Sequence, residues 1–302
     1  PARADQEESD PTMAELAFVD THVHFWDLNH PKTHYAWLQP GWVHPILGDI
    51  ERMKVPLYSG NEYAADIAGC NVTKAVHVQA ALGSEDPVDE TIWLQEQHEQ
   101  TGWPHAIVAD ARLDADDLSE VLDRHADASP LLRGIRDFGQ GDYLVDPAWA
   151  RGYAMLGERG LVCDLDCHWE NMHKARDLAR KHPETVMVLD HAGFPLERTP
   201  EYFENWKRGM NTLAEAESVV CKISGLAMCD NDWTVDSIRP WFEHCVEAFG
   251  IERCFLGTNW PVDKLYSDYE TVIDAYAEIA SQYSRDEHVA LFSANAERIY
   301  RI

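Results

Sequence analysis

The sequence predicts an α/β fold, a single (β/α)8 TIM barrel. Three observations carry that prediction. Short β-rich runs alternate with longer amphipathic ones, the β-rich runs number eight, and no Gly-x-Gly-x-x-Gly fingerprint follows the first of them. Alternation implies parallel pairing through helical crossovers, and eight units favour a closed barrel over an open doubly wound sheet. A chain of 302 residues with 45% hydrophobic content can bury one large core.

Residues 1–15 read as a disordered polar leader, with neither the apolar core nor the cleavage site of a signal peptide, and Met13 reads as a natural start. Residues 16–302 read as the barrel. Its strands are expected in "LAFVDTH", "TKAVHVQA", "HAIVADARL", "LLRGIRDF", "LVCDLDCH", "TVMVLDHAG", "VVCKISGL" and "RCFLGTNW". Helices are expected in segments such as "DLSEVLDRHADA", "NMHKARDLARKH", "TPEYFENWKRGMNTLAEAE", "VDSIRPWFEHCVEAFG" and "SDYETVIDAYAEIASQY", where apolar positions recur every three to four residues.

Charge excludes some partners. Against 25 basic residues stand 53 acidic ones, a formal charge of −28, which repels nucleic-acid phosphates and anionic membrane surfaces. No run approaches the ~18 apolar residues of a membrane span. The seven cysteines are odd in number and form no Cys-x-x-Cys pair, which points to reduced thiols in a cytoplasmic protein. None stands in a nucleophile setting, and "KISGL" lacks the Gly-x-Ser-x-Gly turn of a serine hydrolase. The expected partner is a small molecule; a homo-oligomer stays open.

In a barrel, chemistry gathers at the C-terminal strand ends. Those ends carry His22, His24, Gln79, Asp110, Arg112, Arg136, Asp137, Asp166, His168, Asp190, His191, Lys222, Ser224 and Asn259. Residues at i and i+2 of a strand share a face, so His22 and His24 aim into one cavity. Neutral imidazoles suit zinc and related metals, and His168 and His191 can complete a tetrahedral set. A lone histidine would be a hydrogen-bonded, partly buried ring; four on one rim read as a cluster. Ser224 bonds backbone or substrate. After the first strand, "FWDLNHPKTHYAWLQPGWVHPILGD" has no periodicity and holds Trp26, Trp37, Trp42 and Tyr35, aromatic rings that can grip a substrate or bury against a helix or second subunit. Trp26 or Trp42 is expected at the cavity mouth.

The segments "VDTHVHFWD", "LDHAGFP", "KISGL" and "GTNWPVD", in this order at strand ends, resemble the amidohydrolase superfamily. They are most similar to its metal-dependent-hydrolase branch of sugar lactonases and 2-pyrone-4,6-dicarboxylate lactonase. The resemblance implies that His22, His24 and His191 form the metal or substrate-carbonyl site, that His168 holds the fifth-strand position, and that a divalent cation, zinc first, is the cofactor if there is one. It implies a cyclic ester or carboxylate as the small-molecule partner and a substrate-holding arginine on strand four, Arg133 or Arg136. Arg136 is expected ahead of Arg133 because it lies closer to the strand end, and Gln79, Lys222 and Ser224 are expected to contact substrate from their own strand ends.

One position departs from the pattern. The last strand of the superfamily ends in an aspartate, and here Asn259 stands there. An amide cannot be a general base. The base is then expected in His191, with Asp166 and Asp263 behind it, and Asp263 reads equally as a helix cap. The leading reading is a hydrolase that opens a lactone. The alternatives are a metal-dependent decarboxylase or other lyase of an aromatic or unsaturated acid, and an inert barrel retained for binding.

Overall fold

The computed structural model describes residues 17–43 and 46–302, so the expected leader lies outside the described residues. Eight parallel strands pair in chain order: β1 (Phe18–Val23), β2 (Val72–Val78), β3 (Ala106–Asp110), β4 (Leu132–Arg136), β5 (Val162–Leu165), β6 (Met187–Leu189), β7 (Val219–Ile223) and β8 (Cys254–Leu256). The ring closes between its ends. Val23 bridges Trp260, the His24 amide donates to the Trp260 carbonyl at 2.8 Å, and Thr21 Oγ1 donates to the Leu256 carbonyl at 2.7 Å. The single TIM barrel is therefore as the sequence predicts.

A helix follows each strand: α1 (Gly60–Asp66), α2 (Val88–Thr101), α3 (Leu118–Ala128), α4 (Pro147–Glu158), α5 (Met172–Lys181), α6 (Pro200–Ala214), α7 (Val235–Phe249) and α8 (Tyr269–Ala280). Caps set several starts. Asp146 and Thr199 accept backbone N–H bonds just before Pro147 and Pro200, whose missing N–H costs nothing at the first helical position. Among the described residues no helix is long and apolar enough to cross a membrane.

Both strand faces are buried, which is why the strands read as near-continuous apolar runs. Val76, Val78, Val108, Val162, Val188, Val220 and Phe255 pack together inside the ring, while Ile107, Ile135, Leu189 and Ile223 pack outward against the helices. The period of two then sets Asp164 above Val162, Asp190 above Val188 and Lys222 above Val220 on the inner face. A C-terminal helix, α9 (Asn295–Tyr300), joins the inner cluster; Tyr300 donates to Asp164 Oδ2 at 3.1 Å.

The strands are shorter than the sequence suggests. After β6, β7 and β8 the chain leaves the ladder into short turns at 190–193, 226–229 and 262–265. Positive φ at His191, Ala192 and Asn259 marks these departures. β1 also slips register between Asp20 and Val23, so Val19 joins the inner cluster while Asp20 bonds Tyr269 and Thr258 on the helix side. The segment between β1 and α1 forms no long element. Its Trp26–Asp27 pairs antiparallel with Leu57–Tyr58, and between them it crosses the barrel mouth.

Gly152 in α4 tests the packing. Alanine in a helix interior normally stabilises by about 0.5–1 kcal/mol over glycine. Here an added Cβ would collide with the Leu113 carbonyl oxygen, and such overpacking costs about 1–3 kcal/mol. Gly152→Ala should therefore lower stability in urea unfolding; a gain would show that α4 can lift away from that carbonyl.

Candidate functional site

The strand ends enclose a cavity of about 410 Å³ at the mouth of the barrel. Its polar lining is His24, Gln79, Arg136, Asp166, His168, His191 and Asn259, six of them from different strands or the turns just after them. The loop after β1 supplies Trp37, Trp42, Ile46 and Leu47, and Leu82, Phe138, Phe194, Met228 and Val262 complete an apolar wall. His44 and Pro45, inside the aromatic segment, lie outside the described residues.

Three histidines meet on the floor. The rings of His22 and His191 are 4.3 Å apart and those of His22 and His24 are 4.9 Å apart, centroid to centroid. His24 Nδ1 lies 2.8 Å from the Val78 carbonyl, which can only accept, so Nδ1 carries the proton and Nε2 keeps its lone pair. His191 Nδ1 is 2.9 Å from Ser224 Oγ. Both ring nitrogens of His22 are buried without a hydrogen-bond partner, with Nδ1 3.6 Å from Asp190 Oδ1. Burial is the main cause that pushes all three pKa values down, His191 to about 3, so the rings are neutral near pH 7. Gly225 explains part of this packing. Its φ is +59°, and a Cβ there would sit 2.7 Å from His191 Nδ1 and 3.3 Å from Asn259 Nδ2. His168 stands apart on the rim, its ring edge-on to Phe194, which also packs on His191.

Beneath the histidines runs a buried ionic network. Lys222 Nζ lies 2.5 Å from Asp164 Oδ2 and 2.9 Å from Asp190 Oδ1, with all three side chains inaccessible. Arg136 Nη1 is 3.5 Å from Asp190 and 3.7 Å from Asp166, and Nη2 donates to the Gln79 carbonyl at 3.1 Å and to Oε1 at 3.0 Å. Burial opposes every one of these charges. For Asp190 the Lys222 ammonium and His22 overcome it and hold the carboxyl well below its usual range. For Asp166 burial wins over Arg136 and the pKa rises to about 6; for Asp164 burial wins over Lys222 and it rises to about 7. Asn259, at φ 60°, donates from Nδ2 to Asp263 Oδ1 at 2.9 Å. Asp263 is buried behind it and does not line the cavity, and its carboxyl bonds Asn259 instead of capping a helix.

Arg133 and Trp26 need correction as site residues, while Trp42 meets the expectation of Trp26 or Trp42 at the cavity mouth. Arg133 lies at the opposite end of β4, where it donates to the carbonyls of Pro130, Leu132 and Arg301. It is three residues from Arg136, an odd spacing that turns the two side chains to opposite faces of the strand. Trp26 is fully buried, with Nε1 donating to the Val55 carbonyl at 2.9 Å, and its ring packs behind Trp37. Trp37 and Trp42 line the cavity in its place. Lys222 and Ser224 sit below the floor and reach it through Asp190 and His191. Asp110, Arg112 and Asp137 open onto a neighbouring cleft. The apolar wall residues Phe138, Phe194 and Met228 were not singled out from sequence, although Phe194 lies inside "LDHAGFP". Asp164 carries a signal too, since "DLD" places it on the face of Asp166.

His22, His24 and His191 are the residues that can hold a metal. Neutral imidazoles with available lone pairs suit a divalent cation, and the orphaned nitrogens of His22 are what such an ion would satisfy. Among the described residues no three His, Cys, Asp or Glu side chains already stand at ligating distance from one point.

Asp263 makes stability depend on pH. Burial is the main cause that raises its pKa from 3.8 to about 8, with the Asn259 bond opposing. The folded protein then keeps a proton that the unfolded chain has lost, so stability falls as pH rises from the unfolded value through about 8. Asp263→Asn keeps an acceptor for Asn259 and removes the titration. Its stability relative to the parent should increase between about pH 5 and about pH 8 in urea unfolding. A constant difference would mean that Asp263 ionises normally in the fold.

The architecture agrees with the chain's relatives. The amidohydrolase family model matches residues 19–302. An uncharacterized protein, y4mH, of Sinorhizobium fredii is 36% identical over 302 residues, covering 96% of this chain and all of that protein. An L-fucono-1,5-lactonase of Burkholderia multivorans is 28% identical, covering 94% of this chain and 96% of the lactonase. Among solved structures, an amidohydrolase of Burkholderia multivorans with bound zinc superposes with a TM-score of 0.81 at 26% identity, over 95% of this chain and 99% of that one. On the family match and the 36% relative, the chain belongs to the amidohydrolase family.

Proposed function

We propose that this protein is a hydrolase that opens a lactone. The observation that carries the reading is a floor of neutral imidazoles, His24 and His191 lining the cavity with His22 packed against both beneath it, together with a single carboxylate, Asp166, among the lining residues. The lactonase relative supports the substrate class. A neutral imidazole N–H can donate to the ester carbonyl as negative charge develops on its oxygen, and a site walled by Trp37, Phe138, Phe194 and Met228 strengthens such bonds by excluding water.

Asp166 replaces His191 as the base. A group near pKa 3 is too weak an acceptor at neutral pH, whereas about 6 lies close to the working range. Asp166 takes a proton from water as the oxygen bonds to the carbonyl carbon. The tetrahedral adduct collapses, the ring C–O bond breaks, and the proton passes from Asp166 to the departing alkoxide. The product is a hydroxy acid, one water heavier than the lactone. His24, with its Nε2 lone pair turned from Val78, offers one acceptor to the cavity, for a water or substrate hydroxyl where no cation is bound and for the cation where one is.

In this reading a divalent cation, zinc first, is held by His22, His24 and His191 and adds polarisation of the carbonyl when bound. Zinc titrated into chelator-treated protein by calorimetry should show one saturable site that His22→Ala removes. Heat without saturation would end the metal assignment.

Asn259, uncharged where the family pattern has an aspartate, favours a second reading: a lyase that decarboxylates an acid and needs no attacking water. A pH-indicator screen separates the two, since lactone opening releases acid and decarboxylation consumes a proton. We expect acid release from lactones. The kcat/KM of the parent should rise with pH through about 6, and Asp166→Asn should lose that limb and about 10²–10⁴-fold in rate. A parent profile with no limb there would remove Asp166 as base.

A further inference from the structure

We infer that the cavity selects electrically neutral ring esters over ring esters bearing a carboxylate, and that Asp166 sets the preference. The inference deepens the lactonase reading and rests on it for the nature of the ring.

An arginine in a binding cavity usually marks an anionic substrate, because its fork matches a carboxylate with two parallel N–H bonds. Arg136 has no such fork to offer. Both hydrogens of Nη2 point at one residue, donating to the Gln79 carbonyl and to Oε1. Nη1 lies between two carboxylates, Asp166 at 3.7 Å and Asp190 at 3.5 Å. The guanidinium face is covered by the Phe138 ring, 4.8 Å from Cζ. Nη1 sits at ion-pair and not hydrogen-bond distance from those carboxylates, and Nε–H is buried and without a partner. With both Nη2 hydrogens held by Gln79, Arg136 has no two parallel N–H bonds free for the two oxygens of a carboxylate.

The wider charge balance points the same way. Asp164, Asp166 and Asp190 share two cations, Arg136 and Lys222, and Lys222 is taken by Asp164 and Asp190. Neither cation is left without a carboxylate partner. Arg136 and Asp166 are the only Arg, Lys, Asp or Glu side chains lining the cavity among the described residues, and burial keeps the lining His24 and His191 neutral. A substrate carboxylate would face Asp166 at close range, where like charges in a poorly hydrated site repel strongly. Displacing Asp166 from Arg136 gains nothing, because it exchanges one ion pair for another and leaves Asp166 uncompensated. Neutralising Asp166 removes the repulsion and leaves Arg136 with only Asp190 as counter-ion.

The test measures binding, so it does not depend on turnover. The probes are the lactam of gluconic acid and the same lactam with a carboxylate in place of the hydroxymethyl group, titrated calorimetrically near neutral pH into chelator-treated protein. The parent should bind the acid at least about tenfold more weakly than the neutral lactam, and Asp166→Asn should reverse or erase that ratio. Asp166→Glu, which keeps the charge, should preserve the parental preference and controls for damage to the fold. Equal or tighter binding of the acid by the parent, an unchanged ratio in Asp166→Asn, or binding of neither lactam would each overturn the inference. If the neutral lactam binds with the expected preference but no neutral lactone is opened, the lactonase reading fails and the charge selection stands.

Discussion

The ion pair between Lys222 and its two aspartates, Asp164 and Asp190, is the constraint on which the site depends. All three side chains are inaccessible to solvent, and the network spans the interior of the barrel. At one end Tyr300 donates to Asp164 from the C-terminal helix. At the other, Asp190 stands 3.6 Å from His22 and 3.5 Å from Arg136. Removing Lys222 would leave buried carboxylate charge without its nearest cation, which costs about 3–5 kcal/mol. The lysine therefore ties together the strands that carry Asp164 and Asp190, next to the histidines. A barrel interior of valines alone would be easier to build, but it would give His22 no charge to orient against.

The histidines are useful because they are neutral. Two cations nearby and nearly complete burial both disfavour imidazolium, so the cluster supplies lone pairs and N–H donors without adding charge. The carboxylates divide the opposite task. Asp190 is held ionised by Lys222, while Asp166, open to the cavity and only weakly paired with Arg136, is left close to its titration point. Environments that push like groups apart in this way are how one cavity holds both a fixed charge and a movable proton. Asn259 fits the same economy of charge. With an aspartate at that position, another carboxylate would lie beside Asp263, which burial already keeps from ionising.

The substrate's surroundings come from two sources with different physics. Polar groups stand at strand ends, held by the ladder and by the ions beneath. The apolar wall comes largely from loops, and its widest part is the segment after β1, which ties itself down by backbone acceptors: Trp37 Nε1 donates to the Ala80 carbonyl, and Lys54 to the carbonyls of Gln39 and Trp42. Changes in that segment can alter the shape of the cavity without disturbing the histidines, a division of labour suited to a fold that hosts many chemistries.

From sequence alone, the eight strands could be placed in order and the barrel deduced, because hydrophobic periodicity is local and strong. The same local rule aligned His22 with His24, and parity distinguishes Arg136 from Arg133 in "LRGIRD". The family motifs brought His191 and Asn259 to the same rim. Distances across the barrel were another matter. The contact of Lys222 with Asp164 joins residues 58 apart in the chain, and Tyr300 meets Asp164 from 136 residues away. No periodicity encodes such a meeting. Tertiary structure alone decided that Trp37 and Trp42, and not Trp26, face the cavity, since the aromatic segment has no repeat from which a face can be read. It also decided which acid can act as a base. A pKa depends on burial and on neighbours brought together by folding, and that environment left Asp166 near 6 while pushing His191 to about 3.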